Sequence, residues 1–504
     1  MCSAPSSTAW RLRAPGITRN ITVRITSSGR RATGFRRRSS LTTLDNRFFP
    51  VRSVVCFLVE GGIVLVSVIL SYMILNEVGG NVSIGFGDAI LRGIAIAVIC
   101  QGSMYLLDLY DLEIHITSGQ LVFSIIYSAG FVCVGIGIIG YLFPEIGLPG
   151  NFYLLTISFT IIFLFLWRIL FDLYLTRFGR MENLLIIGSE NITAEIEKEI
   201  MVREKLGFRL VGYINSGPGV GNASSLKAPC LGNYDDIVRV VRDQEVEKII
   251  VAITERRGGY PVESLLALRA SGVRILEWPG FLEGLSGKIP IDNLSPSYFI
   301  YNDGFRKSRS ILLIRRCFNA LLAAVLLVLF LPVMILVAAA IRLDSGGPVF
   351  YTQYRVGQGE RKFKIIKFRS MRVDAEKEGK PQWAVKNDPR TTRVGRYIRA
   401  SRLDELPQLI NVLRGDLDIV GPRPERPEFV EELTRKIPYY ALRHTVKPGL
   451  TGWAQIMFHY SGTIEESKKK LQYDLFYIKN MSVKLDLYIL FRTVKIVLLG
   501  RGAL

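Results

Sequence analysis

The stretch ALLAAVLLVLFLPVMILVAAAI (320–341) has 22 consecutive residues without a charge, enough for an α-helix to cross the hydrocarbon core of a bilayer. Pro332 stands near its middle, where proline removes a backbone hydrogen bond and bends a helix. Arginines flank the stretch on both sides. A full crossing would carry the basic C-terminal part through the membrane, so we expect a re-entrant helix, about 311–343, that bends at Pro332 and returns. An ordinary span with a tolerated proline is the alternative.

The composition indicates a basic protein that lies in or on a membrane. The chain has 504 residues, a formal net charge of +20 and a hydrophobic fraction of 49%, and this length predicts two or three domains. Positive charge suits anionic lipid, phosphorylated small molecules or nucleic acid. A nucleic-acid-binding function rests on charge alone and leaves the motifs described below unexplained, so we expect no nucleic-acid partner.

Cysteine and histidine are too few and too scattered for a zinc site or a disulfide framework. The six cysteines include no CxxC pair, and the chain has three histidines. We therefore expect neither structure.

Four further apolar runs lie in the first third of the chain. They cover roughly residues 54–75, 89–107, 120–143 and 152–175. Each has about the 20 residues that a spanning helix needs. The connections at 76–88 and 144–150 contain no lysine or arginine, whereas arginines precede the first run and follow the fourth. The positive-inside rule therefore predicts a four-helix transmembrane bundle, 51–178, with both ends in the cytoplasm. The acidic connection at 108–117 gives this topology no support.

Residues 1–50 have the composition of a disordered segment. They are rich in arginine, serine and threonine, contain no lysine and have one acidic residue, Asp45. Such a segment cannot bury a core. A transit peptide would have a similar composition, but we favour a disordered basic extension.

Residues 179–305 alternate between strand-like and helical stretches. Apolar, β-branched runs occur at 183–189, 209–214, 248–253 and 273–278. This alternation predicts a small Rossmann-like α/β domain in the cytoplasm. A dinucleotide site needs several glycines after the first strand, whereas Gly188 is followed by Ser189 and by Glu190, which would repel a phosphate. We therefore favour a regulatory or oligomerising role.

The segment SRLDELPQLINVLRGD (401–416) combines acids with a helix breaker. Three arginines spaced by three residues crowd the same region: Arg396, Arg399 and Arg402. Ser401 is a good N-cap and Asp404 follows three residues later, so we expect a helix that begins at Ser401. Asp404 and Glu405 would then be first-turn acids favoured by the helix dipole. That account leaves the arginines unexplained, and a site that binds a phosphate anion explains them better.

Strand and loop motifs surround this segment. VFYTQYRVGQGERKFKIIKFRSM (349–371) predicts two short strands around a glycine turn. In GPRPERPEF (421–429), prolines on both sides of Arg423 fix the backbone and present its guanidinium. KPGLTGWAQI (447–456) contains Trp453, for which a place in the core is favoured over stacking on a base.

Together, these motifs resemble the bacterial sugar transferase family. KFRSM (367–371), LDELPQLINVLRGDLDIVGPRPE (403–425) and VKPGLTGWAQI (446–456) carry the resemblance, together with GGPVFYTQYRVG (346–357). It covers roughly residues 310–504 and implies a C-terminal α+β phosphoglycosyl transferase domain with a re-entrant membrane helix. The upstream bundle and α/β domain are more loosely similar to the large undecaprenyl-phosphate hexose-1-phosphate transferases.

The resemblance implies that a UDP-sugar and undecaprenyl phosphate give undecaprenyl-diphosphate-sugar and UMP. The first acid of the pair is the family's nucleophile, which maps onto Asp404 and implies a covalent aspartyl-phosphosugar intermediate. Glu405 maps onto its catalytic partner, and both acids are implied to bind Mg²⁺, the expected cofactor. Fixed cations would offset the repulsion between carboxylate and diphosphate. Four cations are assigned to substrate binding: Lys367, Arg369, Arg399 and Arg423.

The same resemblance predicts a place in the cell and a set of partners. It implies a multi-pass protein of the bacterial inner membrane with a cytoplasmic catalytic domain, in contact with membrane lipid, that performs the first membrane step of exopolysaccharide or O-antigen synthesis. The alternative is a membrane-anchored nucleotide-sugar sensor or assembly scaffold without catalysis, against which the intact Asp404–Glu405 pair argues. The sugar and the oligomeric state, a homodimer included, stay open.

Two positions depart from the family pattern. Asn319 stands where many relatives have aspartate, so an ion pair at that point is lost. The segment MFHYSGT (457–463) replaces an Asn-Gly-Arg segment, which leaves the sugar specificity open.

Overall fold

The computed structural model describes residues 51–77, 85–110, 118–142, 150–178, 181–202, 207–215, 226–253, 260–292, 294, 296–373, 375, 388–458 and 463–499. The predicted disordered segment 1–50 lies outside the described residues.

Four helices correspond to the four predicted apolar runs. They are α1 (Val51–Glu77), α2 (Phe86–Leu106), α3 (Ser118–Leu142) and α4 (Gly150–Phe178). Three of them are long and apolar enough to cross a membrane, and α3 contributes the shorter apolar stretch Phe123–Gly135. Val68, Cys100 and Leu164 belong to their shared core. Large aliphatic side chains such as Leu91 face outward, as a bundle within lipid requires.

The next elements form the Rossmann-like domain that the sequence predicts. They are β1 (Glu182–Gly188), α5 (Glu190–Val202), β2 (Phe208–Ile214), α6 (Ile237–Asp243), β3 (Lys248–Ala252), α7 (Val262–Ala270), β4 (Arg274–Glu277) and α8 (Trp278–Ser286). The four strands are parallel, in the order β2-β1-β3-β4. At the end of β1, Gly188 has a φ of 150°, and a Cβ there would collide with the Ala252 carbonyl of β3. Glycine at this position therefore allows the two strands to approach.

A short helix, α9 (Pro296–Tyr301), precedes the long helix α10 (Arg309–Ser345). Helix α10 has 37 residues and contains Pro332. At 1.5 Å per residue it is about 55 Å long, against about 30 Å for a bilayer hydrocarbon core. Leu321, Val328 and Leu336 in its middle part are exposed, which gives the helix a broad apolar surface.

The C-terminal domain is built from short strands and helices packed against α10. Its elements are β5 (Phe350–Val356), β6 (Lys362–Phe368), α11 (Arg393–Ala400), α12 (Gln408–Arg414), β7 (Asp418–Val420), α13 (Pro427–Lys436), β8 (Gly449–Thr451), α14 (Trp453–Met457), α15 (Ile464–Asn480) and α16 (Val483–Leu498). Strands β5 and β6 are the two strands predicted around the glycine turn, and they pair in antiparallel. Strand β7 pairs with β8 in parallel.

The Rossmann-like domain and the C-terminal domain share one apolar core. Trp453 is buried in it, donates from Nε1 to the Gly287 carbonyl at 2.7 Å and stacks on Phe476, so the core interpretation of this tryptophan is confirmed. Glu283 of α8 accepts hydrogen bonds from Lys479 Nζ at 2.6 Å and from the Tyr298 hydroxyl at 2.7 Å. The two domains are therefore joined by both apolar and charged contacts.

A buried arginine fastens the start of α10 to the C-terminal domain. Arg315 Nε lies 2.7 Å from Asp486 Oδ2, and its NH1 lies 3.4 Å from Asp418 Oδ2. Its NH2 donates to the Tyr477 hydroxyl at 2.6 Å. Asn319, one turn further along α10, is fully buried as well. Because a buried cation needs such partners, this cluster fixes the position of α10 against β7, α15 and α16.

Candidate active site

The two adjacent acids lie on a tight turn between two helices. Helix α11 is capped by Thr392, whose Oγ1 accepts from the Gly395 amide at 2.9 Å. The helix ends at Ala400 with Ser401 as its C-cap, and Arg402 follows with a φ of 55°. A single 3₁₀ turn, Leu403–Glu405, then leads into α12. A left-handed residue between two helical segments turns the chain, so the acids lie at a corner and not on a helix face.

The prediction that a helix begins at Ser401 is wrong. The Ser401 hydroxyl donates to the Tyr397 carbonyl at 2.8 Å, so it closes the preceding helix and does not cap a following one. Pro407, the residue before α12, occupies the N-cap position of that helix. The capping-box interpretation of Asp404 fails with it, because that interpretation requires the Ser401 hydroxyl as an acceptor.

Glu405 is held by two of the predicted substrate-binding cations. Lys367 Nζ on β6 lies 2.9 Å from Glu405 Oε1, and Arg423 NH2 lies 2.7 Å from the same oxygen. Burial alone would raise the pKa of Glu405, but the Arg423 and Lys367 charges outweigh it and hold the pKa well below its ordinary value. Glu405 is therefore the carboxylate of the pair whose charged form the site stabilises.

Asp404 differs from its neighbour in both exposure and contacts. Its side chain is half-buried, and no described residue donates a hydrogen bond to its carboxylate. Burial raises the pKa of Asp404; the Lys367 charge opposes this effect, and the Glu405 charge adds to it. Asp404 is thus the accessible and more basic carboxylate of the pair, which are the properties of a nucleophile.

The loop that presents Arg423 is fixed from behind. Arg443 NH2 donates to the Arg423 main-chain carbonyl at 2.9 Å and lies 2.9 Å from Asp474 Oδ2. Glu425, at the end of the loop, binds Lys470 Nζ at 2.6 Å. Pro422 and Pro424, together with these buried contacts, hold the Arg423 side chain close to Glu405.

Arg443 and Asp474 were not among the predicted site residues. Asp474 carries a usable signal, because it lies on the same helical face as Leu471 and Ile478, where an acid is out of place unless it is paired. Arg443 carries no such signal in its local sequence.

Two arginines of the run that precedes the acid pair, Arg399 and Arg402, act electrostatically on it. Arg399 NH1 donates to Thr391 Oγ1 at 3.2 Å. The Arg399 charge opposes the rise in the pKa of Asp404 that burial causes. Burial lowers the pKa of Arg402, and the negative charges of Glu405 and Asp404 oppose this effect. Arg402 thus belongs beside the dyad, although only Arg399 of the arginine run was predicted to bind substrate.

Arg369 is buried at the end of α10 and does not contact the Asp404–Glu405 pair. Its NH2 donates to Ser345 Oγ at 2.7 Å and to the Gly346 carbonyl. Its Nε and NH1 are buried without a hydrogen-bond partner among the described residues. A role for Arg369 in substrate binding stays a prediction.

The donor set agrees with a magnesium ion that is held jointly by protein and substrate. The described residues contain no cluster of three or more metal-binding side chains. Mg²⁺ commonly binds one or two carboxylates together with substrate phosphates and water. Both cations on Glu405 bind Oε1, so Oε2 and the Asp404 carboxylate are the oxygens available to such an ion.

Comparison with known proteins finds two family matches in this chain. Residues 310–500 match the family described as bacterial sugar transferase, and residues 105–277 match the family described as CoA-binding domain. A UDP-glucose:undecaprenyl-phosphate glucose-1-phosphate transferase of Caulobacter vibrioides is 42% identical over 182 residues, which are 36% of this chain and 68% of that protein. The chain belongs to the bacterial sugar transferase family.

Two relatives align with this chain over more residues than the 310–500 family match contains. A UDP-N-acetylgalactosamine-undecaprenyl-phosphate N-acetylgalactosaminephosphotransferase of Aeromonas hydrophila is 43% identical over 280 residues, 55% of this chain and 63% of that protein. A UDP-glucose:undecaprenyl-phosphate glucose-1-phosphate transferase of Xanthomonas campestris pv. campestris is 32% identical over 324 residues, 62% of this chain and 66% of that protein. The chain therefore spans just under two thirds of these two relatives.

Proposed function

We propose that this protein is a phosphoglycosyl transferase that moves a sugar 1-phosphate from a UDP-sugar to undecaprenyl phosphate and releases UMP. The observation that carries the proposal is the division of labour within the acid pair. Glu405 is fixed by Lys367 and Arg423, whereas the adjacent Asp404 is half-buried and has a raised pKa. One carboxylate thus organises the cations, and the other is left to react.

In the first step, an Asp404 oxygen attacks the phosphorus next to the sugar. The new O–P bond replaces the bond from that phosphorus to the bridging oxygen of the diphosphate, and UMP leaves with the bridging oxygen. Lys367 and Arg423 lie beside the attacking carboxylate. Their charges reduce its repulsion from the diphosphate and stabilise the charge that develops on the leaving phosphate.

In the second step, a phosphate oxygen of the lipid attacks the phosphorus of the aspartyl-phosphosugar. The bond to Asp404 breaks, the carboxylate is regenerated, and the lipid diphosphate sugar is released. Two steps allow one site to receive a soluble donor and a membrane acceptor in turn.

We propose Mg²⁺ as the cofactor, bound by Asp404 and by Glu405 Oε2 together with substrate phosphate. When bound, the ion would neutralise phosphate charge and orient the diphosphate. The protein's contribution is to keep Lys367 and Arg423 on Glu405 Oε1.

Both ends of α10 contact the same domain, which supports a re-entrant helix. Near its start, Arg316 donates to the Val412 carbonyl of α12. At its far end, Ser345 binds Arg369, directly after β6. Strand β6 and α12 are themselves linked, because Asn411 Oδ1 accepts from the Ile366 amide at 3.0 Å. A helix that crossed the bilayer would place these two ends on opposite faces of the membrane.

We further propose that the protein lies in the bacterial inner membrane with its catalytic domain in the cytoplasm, where it starts exopolysaccharide or O-antigen assembly. The arginines around the bundle support this orientation. UDP-glucose and UDP-N-acetylgalactosamine are the donors to test first, because the names of the relatives contain these two sugars.

The test is a single-turnover reaction of the membrane-embedded protein with each radiolabelled UDP-sugar and Mg²⁺, without lipid acceptor. We expect one equivalent of UMP and a covalently labelled protein, whose label moves to lipid when undecaprenyl phosphate is added. Asp404→Asn should yield neither product, because an amide does not displace UMP.

The matched control is Asp416→Asn, which changes an aspartate beyond α12 in the same way and should retain both steps. Recovery of the label on a side chain other than Asp404, or normal turnover by Asp404→Asn, would show that the nucleophile is wrongly assigned. Direct transfer to lipid with no labelled protein at any time would contradict the two-step mechanism.

A further inference from the structure

A second group of charges lies where the membrane bundle meets the C-terminal domain. The turn after α2, residues 107–110, contains Asp108, which has a φ of 62°. Lys495 of α16 pairs with Asp108 Oδ1, and Arg492 NH1 of the same helix lies 3.7 Å from that oxygen. Lys495 Nζ also donates to the Tyr105 main-chain carbonyl at 2.7 Å.

Lys495 is 4% exposed, so this contact differs from an ordinary surface ion pair. A buried ammonium group needs acceptors to offset its desolvation, and the bundle supplies both of the acceptors named above. Charge pairing also accounts for one acid of the connection at 108–117, which gives the predicted topology no support. Its first acid is the partner of two cations of the C-terminal domain.

The same turn is held from within the bundle. Glu60 of α1 and Arg168 of α4 form a buried ion pair with 2.6 Å between Oε1 and Nε. Arg168 NH1 donates to the Leu109 carbonyl at 2.9 Å, and Ser53 Oγ donates to the Tyr110 carbonyl at 2.9 Å. Ionisable groups within a membrane bundle are costly unless they are paired and serve a purpose, and here they fix the turn that carries Asp108.

Helix α16 transmits this attachment to the rest of the domain. Its Asp486 binds Arg315 of α10, and its Thr493 shares a 2.7 Å hydrogen bond with Thr451 of β8. Helix α16 thus contacts the bundle, helix α10 and strand β8.

We propose that Asp108, Lys495 and Arg492 form a docking clamp that sets the position of the catalytic domain relative to the bilayer, so that a membrane-held phosphate reaches Asp404. This inference rests on the proposed function. The first step uses a soluble donor and does not depend on the position of the domain relative to the membrane. The second step needs an acceptor whose phosphate stays at the membrane surface, so it alone requires the clamp.

The experiment compares full-length wild type, Asp108→Lys, Lys495→Asp and the double exchange in proteoliposomes that contain undecaprenyl phosphate. We expect Asp108→Lys to slow transfer to lipid about tenfold, within the coupling energies measured for contacting residues, while UMP release in a single turnover without acceptor stays unchanged. The double exchange should restore much of the transfer rate. Lys436→Glu reverses an exposed charge on the same domain and serves as the control.

Thermal unfolding of the same variants gives a readout that does not depend on catalysis. Each single reversal should lower Tm, and the double exchange should recover it. If wild type forms no labelled intermediate, the proposed function fails, and recovery of Tm still tests the contact. Unchanged lipid transfer by Asp108→Lys, or an equal loss of both steps that the double exchange does not restore, would overturn the clamp.

Discussion

Arg443 donates a hydrogen bond from its guanidinium to the main-chain carbonyl of Arg423, with 2.9 Å between nitrogen and oxygen. The buried Arg443 therefore positions the loop whose Arg423 side chain binds Glu405. Arg443 is in turn paired with Asp474, and both side chains are at most 3% exposed. The geometry of the acid pair thus depends on two residues that are buried behind it.

Arg443→Lys tests this dependence with little change in charge. Lysine can still pair with Asp474, but it lacks the planar fork that reaches the carboxylate and the Arg423 carbonyl together. We expect a Tm close to that of wild type and about a hundredfold slower UMP release in a single turnover, because small displacements of positioning groups have costs of this size. Arg435→Lys, on the exposed face of α13, should leave the rate unchanged. Wild-type kinetics in Arg443→Lys would exclude the positioning role.

The raised pKa of Asp404 predicts a pH dependence for the first step. In the proposed mechanism Asp404 attacks as the anion, so the rate of intermediate formation should rise with pH through a pKa above that of an ordinary aspartate. Burial raises the pKa of Asp404, and the Glu405 charge raises it further. Glu405→Gln removes that negative charge, which favours the Asp404 anion and lowers its pKa. The ascending limb of kcat/KM against pH should therefore move to lower pH, although the plateau falls.

Glu431→Gln is the control for this profile, because it removes an exposed acid from α13. Its limb should coincide with that of wild type. A limb that stays in place or moves to higher pH in Glu405→Gln would contradict the assignment of Asp404 as the titrating group.

Arg315→Met should strongly destabilise the protein. It leaves Asp418 and Asp486 buried without their cation, a type of change that costs about 3–5 kcal/mol. Burial already raises the pKa of both aspartates, and loss of Arg315 raises these pKa values further. A carboxyl group with a raised folded-state pKa destabilises the protein above that pKa and less so when it is protonated. The loss of Tm should therefore be larger at pH 7.5 than at pH 5.

Arg316→Met is the neighbouring control, because among the described residues Arg316 donates to the main-chain carbonyls of Val412 and Leu413 and to no carboxylate. We expect a smaller loss of Tm with a weaker pH dependence, because the Arg316 charge lowers the pKa of Asp418 less than the Arg315 charge does. An Arg315→Met variant as stable as Arg316→Met at both pH values would show that the buried cluster contributes little to stability.

The proposed re-entrant path of α10 predicts from which face of the membrane its two ends are labelled. Single cysteines at Ser310 and Leu343, both exposed, should react with a membrane-impermeant maleimide from the same face of membrane vesicles, in a background that lacks the native cysteines. Leu266→Cys on α7 marks the face that carries the Rossmann-like domain. Labelling of Ser310→Cys and Leu343→Cys from opposite faces would establish a crossing helix.

Elements with strong hydrophobic patterns were predicted closely. The strand expected at 183–189 is Glu182–Gly188, and the strand expected at 248–253 is Lys248–Ala252. These segments are decided by which residues must leave water, and that information is present in a window of ten to twenty residues.

The start of a helix at Ser401 could not be predicted in this way. A serine followed by an acid three residues later is a valid N-cap pattern, yet the Ser401 hydroxyl binds the helix before it. The left-handed backbone at Arg402 separates the two helices, and an arginine in this conformation gives no local signal. Contacts of Glu405 with β6 and with the Arg423 loop compensate for the unfavourable conformation.

The sequence alone determined the membrane-bound segments, the parallel α/β domain and the acid pair with its surrounding motifs, because hydrophobicity, period and residue type are local properties. Only the tertiary structure decided which cations meet which acid. Lys367 and Arg423 are 56 residues apart in the chain and bind one oxygen of Glu405, and Asp108 reaches Lys495 over a far longer separation. Charge pairing acts through distance in space, and the packing of apolar elements sets that distance.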